Sequence, residues 1–331
     1  MNRTALRLGT RASRLALVQA EMIAAVLRQI GERVEVVHIS TTGDERPDAK
    51  LSSMGGVGVF TKEIQRALLD ARIDLAVHSL KDLPTQPHAG LMLAATPRRT
   101  TADDVFVSMR YRWATLPADA VVGTGSLRRV SQLLHQRPEL RIRAIRGNIE
   151  TRLGKLASGE YDAILLSAVS LDRLGLVSQV PYVERLRESA GFCPAVGQGV
   201  IGVEIRESDE SLCQTLQWIS DPLTMTCVTA ERAMLRTLDA GCSAPIGGFA
   251  EILENGENPA KSARISLHGR ILSEDGASQV DVRGTEQLDG RSETTSNGCG
   301  AAPTAWLDAA CRLGRRVGEE LQRRDDGDAL R

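Results

Sequence analysis

The stretch Ile73-Asp74-Leu75-Ala76-Val77-His78-Ser79-Leu80-Lys81-Asp82-Leu83-Pro84 decides how this chain is read. Its short apolar run, 73–77, predicts a buried strand, and the run stops abruptly in His78, Ser79, Lys81 and Asp82, side chains that ionise or carry a hydroxyl. In open parallel sheets ligands sit beyond the carboxyl ends of the strands, so Lys81 and Asp82 would meet a small molecule on a rigid support. A solvated turn closed by Pro84, with Lys81 and Asp82 as a surface ion pair, explains the same residues, and the stretch alone does not choose between the two.

Working outward toward the N-terminus, 5–8 reads as a strand and Gly9-Thr10-Arg11-Ala12-Ser13 as a turn that offers Ser13 as a helix N-cap. Leu15, Val18, Met22, Val26 and Ile30 then repeat at helical spacing until Gly31 stops the run. Strands are predicted at 34–39 and 91–95, and a helix at 60–71, entered through a glycine-rich flap, Ser52-Ser53-Met54-Gly55-Gly56-Val57-Gly58. The flap lacks the Gly-Lys-Ser/Thr ending of a P-loop. Such alternation predicts a parallel or mixed sheet wrapped by helices.

Beyond Pro97-Arg98-Arg99-Thr100 the pattern restarts, with strands at 104–108, 120–122, 140–145 and 161–166 and helices between them, which predicts a second α/β domain. Prolines and glycines near Pro97 and Pro194 mark paired crossings between the two domains, with the strand at 200–205 returning to the first sheet. Asp221-Pro222 supplies an N-cap and first-turn proline for a helix running to Gly241. Strands at 249–253, 263–272 and 279–283 and a closing helix at 304–323 complete a small α+β domain, in which 286–303, rich in Gly, Ser and Thr, reads as a flexible surface insertion. The domains expected are therefore 1–97 with 198–218, 98–197, and 219–331.

Composition narrows the function. The 331 residues are 42% apolar and 25% charged, with 41 Lys plus Arg against 42 Asp plus Glu, so no bulk field recruits nucleic acid or an anionic membrane. Aromatics make up only 3%, too few for the stacking platforms that bind single-stranded nucleic acid. The start has no signal-peptide core and no apolar run approaches a membrane span, from which a cytoplasmic protein with no membrane partner is expected. The six cysteines show no CxxC pair and no clustering with histidine, which argues against a zinc site and a disulfide framework. Cys213, Cys227 and Cys311 lie in apolar helical patterns and read as small buried hydrophobes. Cys242, in Ala240-Gly241-Cys242-Ser243-Ala244-Pro245, sits in a loop among small residues, where it is a nucleophile, an attachment point, or neither.

The charge that matters is local. Val122-Gly123-Thr124-Gly125-Ser126-Leu127-Arg128-Arg129 puts Thr124 and Ser126 at a strand-to-helix junction, where free N–H groups and the dipole favour an anion, and two arginines follow. Arg146-Gly147-Asn148-Ile149-Glu150-Thr151-Arg152 repeats the idea. Seven arginines between Arg128 and Arg152 face only Glu139 and Glu150, and arginine rather than lysine suggests forked recognition of carboxylate or phosphate. Arg137, Arg141 and Arg143 read as a solvated face, whereas Arg128, Arg129, Arg146 and Arg152 sit at or just beyond strand ends.

These separated motifs, with Pro194-Ala195-Val196-Gly197-Gln198-Gly199, Thr229-Ala230-Glu231-Arg232-Ala233 and Gly241-Cys242, resemble hydroxymethylbilane synthase, also called porphobilinogen deaminase, of tetrapyrrole and heme biosynthesis. The resemblance implies three domains: two similar periplasmic-binding-protein-like α/β lobes joined by a double crossover, and a small α+β C-terminal domain carrying a dipyrromethane cofactor as a thioether on Cys242. It implies a transferase that adds four porphobilinogen molecules head to tail to that cofactor, releasing ammonia each time and then hydroxymethylbilane by hydrolysis. Asp82 matches the catalytic carboxylate, which manages the leaving amine's proton and stabilises the cationic azafulvene. The pyrrole carboxylates fall to positions matching Arg11, Arg128, Arg129, Arg146 and Arg152, helped by Ser13, Ser79, Lys81, Thr124, Ser126 and Gln198. Porphobilinogen is then the only partner expected, with no metal and a monomeric state. The chain departs from the family's pattern at Ser53 and Val57, where lysine is frequent, at Gly125, where serine is common, and at Ser167 and Ser170, where small apolar residues are usual. A two-lobed anion-binding protein without catalysis is the rival, since fold alone does not fix function.

Overall fold

The computed structural model describes residues 5–40, 61–239, 244–254, 263–289 and 300–325. The flap, with Ser53 and Val57, and the cysteines Cys242 and Cys299 lie outside the described residues. The chain begins with β1 (Leu6–Thr10), α1 (Arg14–Gln29), β2 (Val34–His38), α2 (Lys62–Leu69), β3 (Leu75–Ser79), one 3-10 turn (Leu80–Asp82) and β4 (Leu91–Ala95). It continues through β5 (Asp104–Ser108), β6 (Val121–Gly123), α3 (Leu127–Gln136), β7 (Arg141–Arg143), α4 (Ile149–Ala157), β8 (Ala163–Ser167), α5 (Ala168–Leu174), β9 (Tyr182–Arg185) and α6 (Leu186–Ala190). The last part is β10 (Ile201–Arg206), α7 (Glu210–Gln217), α8 (Pro222–Thr237), β11 (Ile246–Glu254), β12 (Ala263–Leu272), β13 (Gln279–Leu288) and α9 (Thr304–Arg324).

Two five-stranded sheets share one plan. The first has the order β2-β1-β3-β10-β4 and the second β7-β6-β8-β5-β9. In each, three strands run parallel and the fourth, β10 or β5, is antiparallel and has just crossed from the other lobe. The double crossover therefore threads each lobe through the interior of its partner's sheet, and the strand after the second crossing returns to the first sheet as the sequence predicts. An interior strand covered on both faces must be apolar throughout, which is why Leu75, Ala76 and Val77 are all buried. Where the crossings meet they touch: Gly199 has φ +87°, and a Cβ there would lie 2.0 Å from the Thr101 carbonyl oxygen.

Asp221 caps α8 as expected, its Oδ2 accepting from the Thr224 N–H at 2.9 Å, with Pro222 at the first helical position. Helices α8 and α9 pack on the antiparallel sheet β11-β12-β13 around Met234, Leu267, Ile271, Leu313, Val317 and Leu321. Strand β13 runs through Leu288, paired with Ala263, so Glu286, Gln287 and Leu288, where the sequence predicts the start of the insertion, belong to the sheet. Polar side chains on its open face hide the strand pattern, and Glu286 is held there by Arg316 at 2.8 Å.

Helix α1 turns a different face to its sheet from the one its large residues suggest. Gln19, Ala20, Ile23, Ala24 and Leu27 are buried, while Met22, Val26 and Ile30 are 43%, 39% and 40% exposed. Alanines let the helix lie close on the sheet, a gain that hydrophobicity alone underweights. Leu15 and Val18 are used instead against the core of the second lobe, tying the lobes together. No helix among the described residues is long and apolar enough to cross a membrane.

Candidate functional site

At the carboxyl end of β3 the chain cannot continue as a strand, because the Leu80 N–H donates to Val200 O at 3.0 Å and the Leu83 N–H turns back to Leu80 O at 3.1 Å. Leu80 and Leu83 are buried and anchor this turn, which leaves Lys81 part-exposed and Asp82 exposed. The four polar residues of the stretch thus separate. His78 points into the lobe, buried 3.3 Å from Glu204 Oε2, and Gln65 donates to Glu204 Oε1 at 3.0 Å. Ser79 lies on the other face and accepts from Gln19 at 2.9 Å. Lys81 Nζ donates to Gln198 Oε1 at 3.1 Å. Asp82 accepts no hydrogen bond among the described residues and stands beside Lys81 with its carboxylate uncommitted.

Gln198 leads from that turn to the second lobe. Its Nε2 donates to Ala102 O at 2.6 Å and to Asp104 Oδ1 at 3.0 Å, which fixes the orientation of the amide. Asp104, 1% exposed, is the hub. Arg128 forks onto it, Nη1 to Oδ2 at 2.6 Å and Nη2 to Oδ1 at 3.1 Å, while Arg129 Nε donates to Oδ1 at 2.9 Å. Backbone carbonyls take further donors: Cys193 O from Arg128 at 2.6 Å and Leu165 O from Arg129 at 3.0 Å. Against the upward pull of burial, the two guanidinium groups hold the Asp104 carboxyl well below the usual carboxylate range. Lys81 feels the opposite balance. Burial and then Arg129 pull it down to about 8, although Asp82 and Asp104 favour its charged form.

The other candidates surround this core in two groups. Thr124 is buried and its Oγ1 accepts from the Ser126 N–H at 3.2 Å, so Ser126 begins α3 without using its own hydroxyl as a cap. Arg152 donates through Nε to Gly147 O at 2.8 Å and is brought down to about 10 by burial and by Arg129 and Arg146, which keeps it cationic at neutral pH and shows that the three arginines share one field. Arg146, half-buried, makes no hydrogen bond through its guanidinium among the described residues. Ser13 caps α1, its Oγ accepting from the Ala16 N–H at 3.4 Å, and Arg11 lies part-buried two residues before it. Arg14, one residue after Ser13, reaches Glu150 of the second lobe at 3.0 Å. The structure therefore joins Lys81, Gln198, Arg128 and Arg129 through Asp104, while Arg146, Arg152 and Ser126 keep donors unused by that network. Ser167 and Ser170, polar where small apolar residues are usual, satisfy each other at 2.6 Å.

One member of the cluster, Asp104, and one buried cation at the crossing, Arg173, escape the sequence reading. Asp104 looks like the polar start of an apolar strand, yet a carboxylate inside a buried strand survives only when paired, and that was the available signal. Arg173 looks like an ordinary cation in the last turn of α5. It donates to Gly199 O at 3.1 Å, its Nε is buried with no hydrogen-bond partner among the described residues, and burial brings it down to about 10. Cys193 and Cys227 are pushed up to about 12 by burial, as inert thiols should be; Cys213 and Cys311 are part-buried on helices.

Comparison with known proteins agrees with this arrangement. Residues 6–214 match the family model "Porphobilinogen deaminase, dipyromethane cofactor binding domain", and residues 225–322 match "Porphobilinogen deaminase, C-terminal domain". The chain is 43% identical to the porphobilinogen deaminase of Syntrophobacter fumaroxidans over 82% of this chain and 85% of that protein. It is 40% identical to that of Laribacter hongkongensis over 95% of this chain and 93% of that protein. Among solved structures it is similar to an ancestral cationic amino acid solute-binding protein, with TM-score 0.40, 15% identity, and 64% of this chain and 86% of that chain covered. A periplasmic binding protein of Salmonella typhimurium with high arginine specificity is similar at TM-score 0.38 and 13% identity over 65% of this chain and 90% of that chain. By two family models that together span most of its length, and by relatives at this identity over most of theirs, this chain belongs to the porphobilinogen deaminase family.

Proposed function

We propose that the protein condenses four porphobilinogen molecules head to tail on a dipyrromethane held as a thioether by Cys242, losing ammonia at each addition and releasing hydroxymethylbilane by hydrolysis. The observation that carries this reading is the uncommitted Asp82 carboxylate on a hydrogen-bonded turn, beside Lys81, whose charge in turn feels Arg129 and Arg128. A binding protein for anions gains nothing from an exposed carboxylate in such a place, because it repels the ligand. A reaction that passes through a cationic ring needs one.

The donors suit a polyanion built of acetate- and propionate-bearing pyrroles. Arg146, the buried Nε of Arg173 that has no partner among the described residues, the free hydroxyl of Ser126 and the remaining N–H groups of Arg152 would hold carboxylates, with Arg11, Ser13 and Ser79 at the edge of the first lobe. The bound dipyrromethane supplies the free pyrrole carbon to which the first substrate is joined. Arg128 and Arg129, already turned onto Asp104, keep fewer donors and act chiefly through their field. Asp82, as a carboxylate, would accept a hydrogen bond from the substrate's aminomethyl ammonium, which leaves as ammonia with the electron pair of its carbon–nitrogen bond. It would stabilise the positive charge left on the ring, and would take up the ring proton after the carbon–carbon bond forms and pass it to the departing ammonia. A positioned carboxylate in such a role is commonly worth ~10²–10⁴ in rate.

Intact-mass spectrometry tests this directly. Wild-type protein should exceed its sequence mass by one dipyrromethane, map the adduct to Cys242, and give a ladder of heavier species with porphobilinogen. Cys242→Ala should carry no adduct. Asp82→Asn should keep the adduct but release hydroxymethylbilane ~10²-fold more slowly or worse, and release at more than a tenth of the wild-type rate would remove Asp82 from the chemistry.

A further inference from the structure

The Thr229-Ala230-Glu231-Arg232-Ala233 motif takes no part in the chemistry above, yet its two charged residues are buried. Glu231, 0% exposed, accepts from Arg99 on the first crossing at 2.8 Å, from the Gly197 N–H on the second at 2.8 Å, and from the Ala250 N–H of β11 at 2.9 Å. Arg232, 9% exposed, turns the other way. Its Nη1 donates to Leu83 O at 3.1 Å, and its Nη2 donates to Pro84 O at 2.6 Å and lies 3.5 Å from Thr85 O. These carbonyls belong to the residues that directly follow Asp82. The helix that carries Arg232 ends at Thr237, and Cys242 follows Arg232 by ten residues in the sequence.

From this we infer that Arg232 is a positioning residue: it clamps the backbone behind Asp82 to α8, so that the carboxylate on the first lobe keeps its place relative to the domain that bears the cofactor. The inference rests on the proposed roles of Asp82 and Cys242. Its physical basis is that no other part of the turn is held from the third domain by so many charge-assisted hydrogen bonds among the described residues, and Pro84, which has no N–H, cannot be tied down by donating one. A fork that spans successive carbonyls fixes both the position and the direction of the segment, which a single ammonium cannot do. The clamp does not touch substrate. Its effect has to appear as misplacement of Asp82, and a misplacement of ~1 Å can reduce a rate by ~10²-fold.

The test uses the full-length, cofactor-loaded protein with Arg232→Met, which keeps much of the stem and removes the fork, and Arg232→Lys, which restores one point donor. Intact mass establishes that each carries the adduct. Steady-state kinetics and hydrogen exchange of a peptide covering Leu80 to Thr85 are then measured together. In Arg232→Met, kcat should fall ~10-fold or more with KM within ~2-fold, and the Leu83 amide, bonded to Leu80 O, should exchange faster while α8 and its sheet stay protected. Arg232→Lys should recover part of both. A kcat within twofold of wild type in Arg232→Met, or slower turnover with unchanged exchange at the turn, overturns the inference. So does loss of protection throughout the third domain in Arg232→Lys, the variant used if Arg232→Met does not fold. A wild-type protein without the adduct instead defeats the functional reading, and the exchange measurement still decides whether Arg232 holds the turn.

Discussion

Lys81 is held between two opposing influences. Its ammonium adds to the positive field of Arg128 and Arg129, which favours anions, yet burial and Arg129 disfavour that charge and bring the group from 10.5 to about 8. The sign follows from linkage. Because the folded value lies below the unfolded one, the charged lysine opposes folding fully below about pH 8, and the penalty is relieved as pH rises from there toward 10.5. Function runs the other way, since the charge that attracts substrate is lost over the same rise. The expected outcome is an alkaline fall in kcat/KM with an apparent pKa near 8, together with a melting temperature that gains rather than loses from this residue across the window. Lys81→Arg, whose charge persists, should move that fall to higher pH. A kcat/KM profile identical in the two proteins would detach Lys81 from substrate binding.

Among the elements, most strands and helices were legible because their signals are local. The strand expected at 73–77 is β3, shifted by two residues to Leu75–Ser79 so that His78 and Ser79 lie in the strand, the segments 91–95, 104–108 and 263–272 are strands with those limits, and Asp221-Pro222 caps the helix it announces. What was not legible depends on partners distant in sequence. The buried face of α1 differs from its large-residue face because alanine is only weakly apolar yet packs closely, while Leu15 and Val18 answer to the other lobe's core. Asp104 could not be seen as the hub of four donors, since Arg128, Arg129 and Gln198 reach it only once both crossings are folded. The crossings themselves are strict. Gly199 adopts φ +87° against the Thr101 carbonyl, where a side chain has neither the conformation nor the room. Gly199→Ala should therefore destabilise the protein by at least about 1–3 kcal/mol from backbone strain alone. Thermal or urea unfolding checks it, and a variant as stable as wild type would mean the crossings can part without loss.

At the scale of the whole molecule, the arginines of the second lobe divide by what they hold. Arg128 and Arg129 share Asp104 with Gln198, which takes Lys81 from the first lobe, so this network is part of the joint between lobes as well as the floor of the site. Arg146 and Arg152 have no carboxylate partner among the described residues and face only each other's charge and that of Arg129. Replacement by lysine keeps the charge in all four positions but removes the fork. At Arg128 and Arg129 that change leaves part of a buried carboxylate unsatisfied, and stability should drop by about 1–3 kcal/mol alongside any loss of turnover. Lysine at Arg146 breaks no guanidinium hydrogen bond among the described residues, and lysine at Arg152 removes only the bond from Nε to Gly147 O. The Arg146 variant should melt close to wild type, within about 0.5 kcal/mol as for surface substitutions generally, and the Arg152 variant should lose no more than one hydrogen bond contributes, about 0.5–1.5 kcal/mol, while in both cofactor loading fails or the mass ladder stalls before four additions. Thermal melts and intact-mass ladders measured on the same four variants separate the two groups. If all four lose stability equally, Arg146 and Arg152 belong to the joint. If all four assemble the cofactor and extend the ladder normally, the forks are not what holds the growing chain.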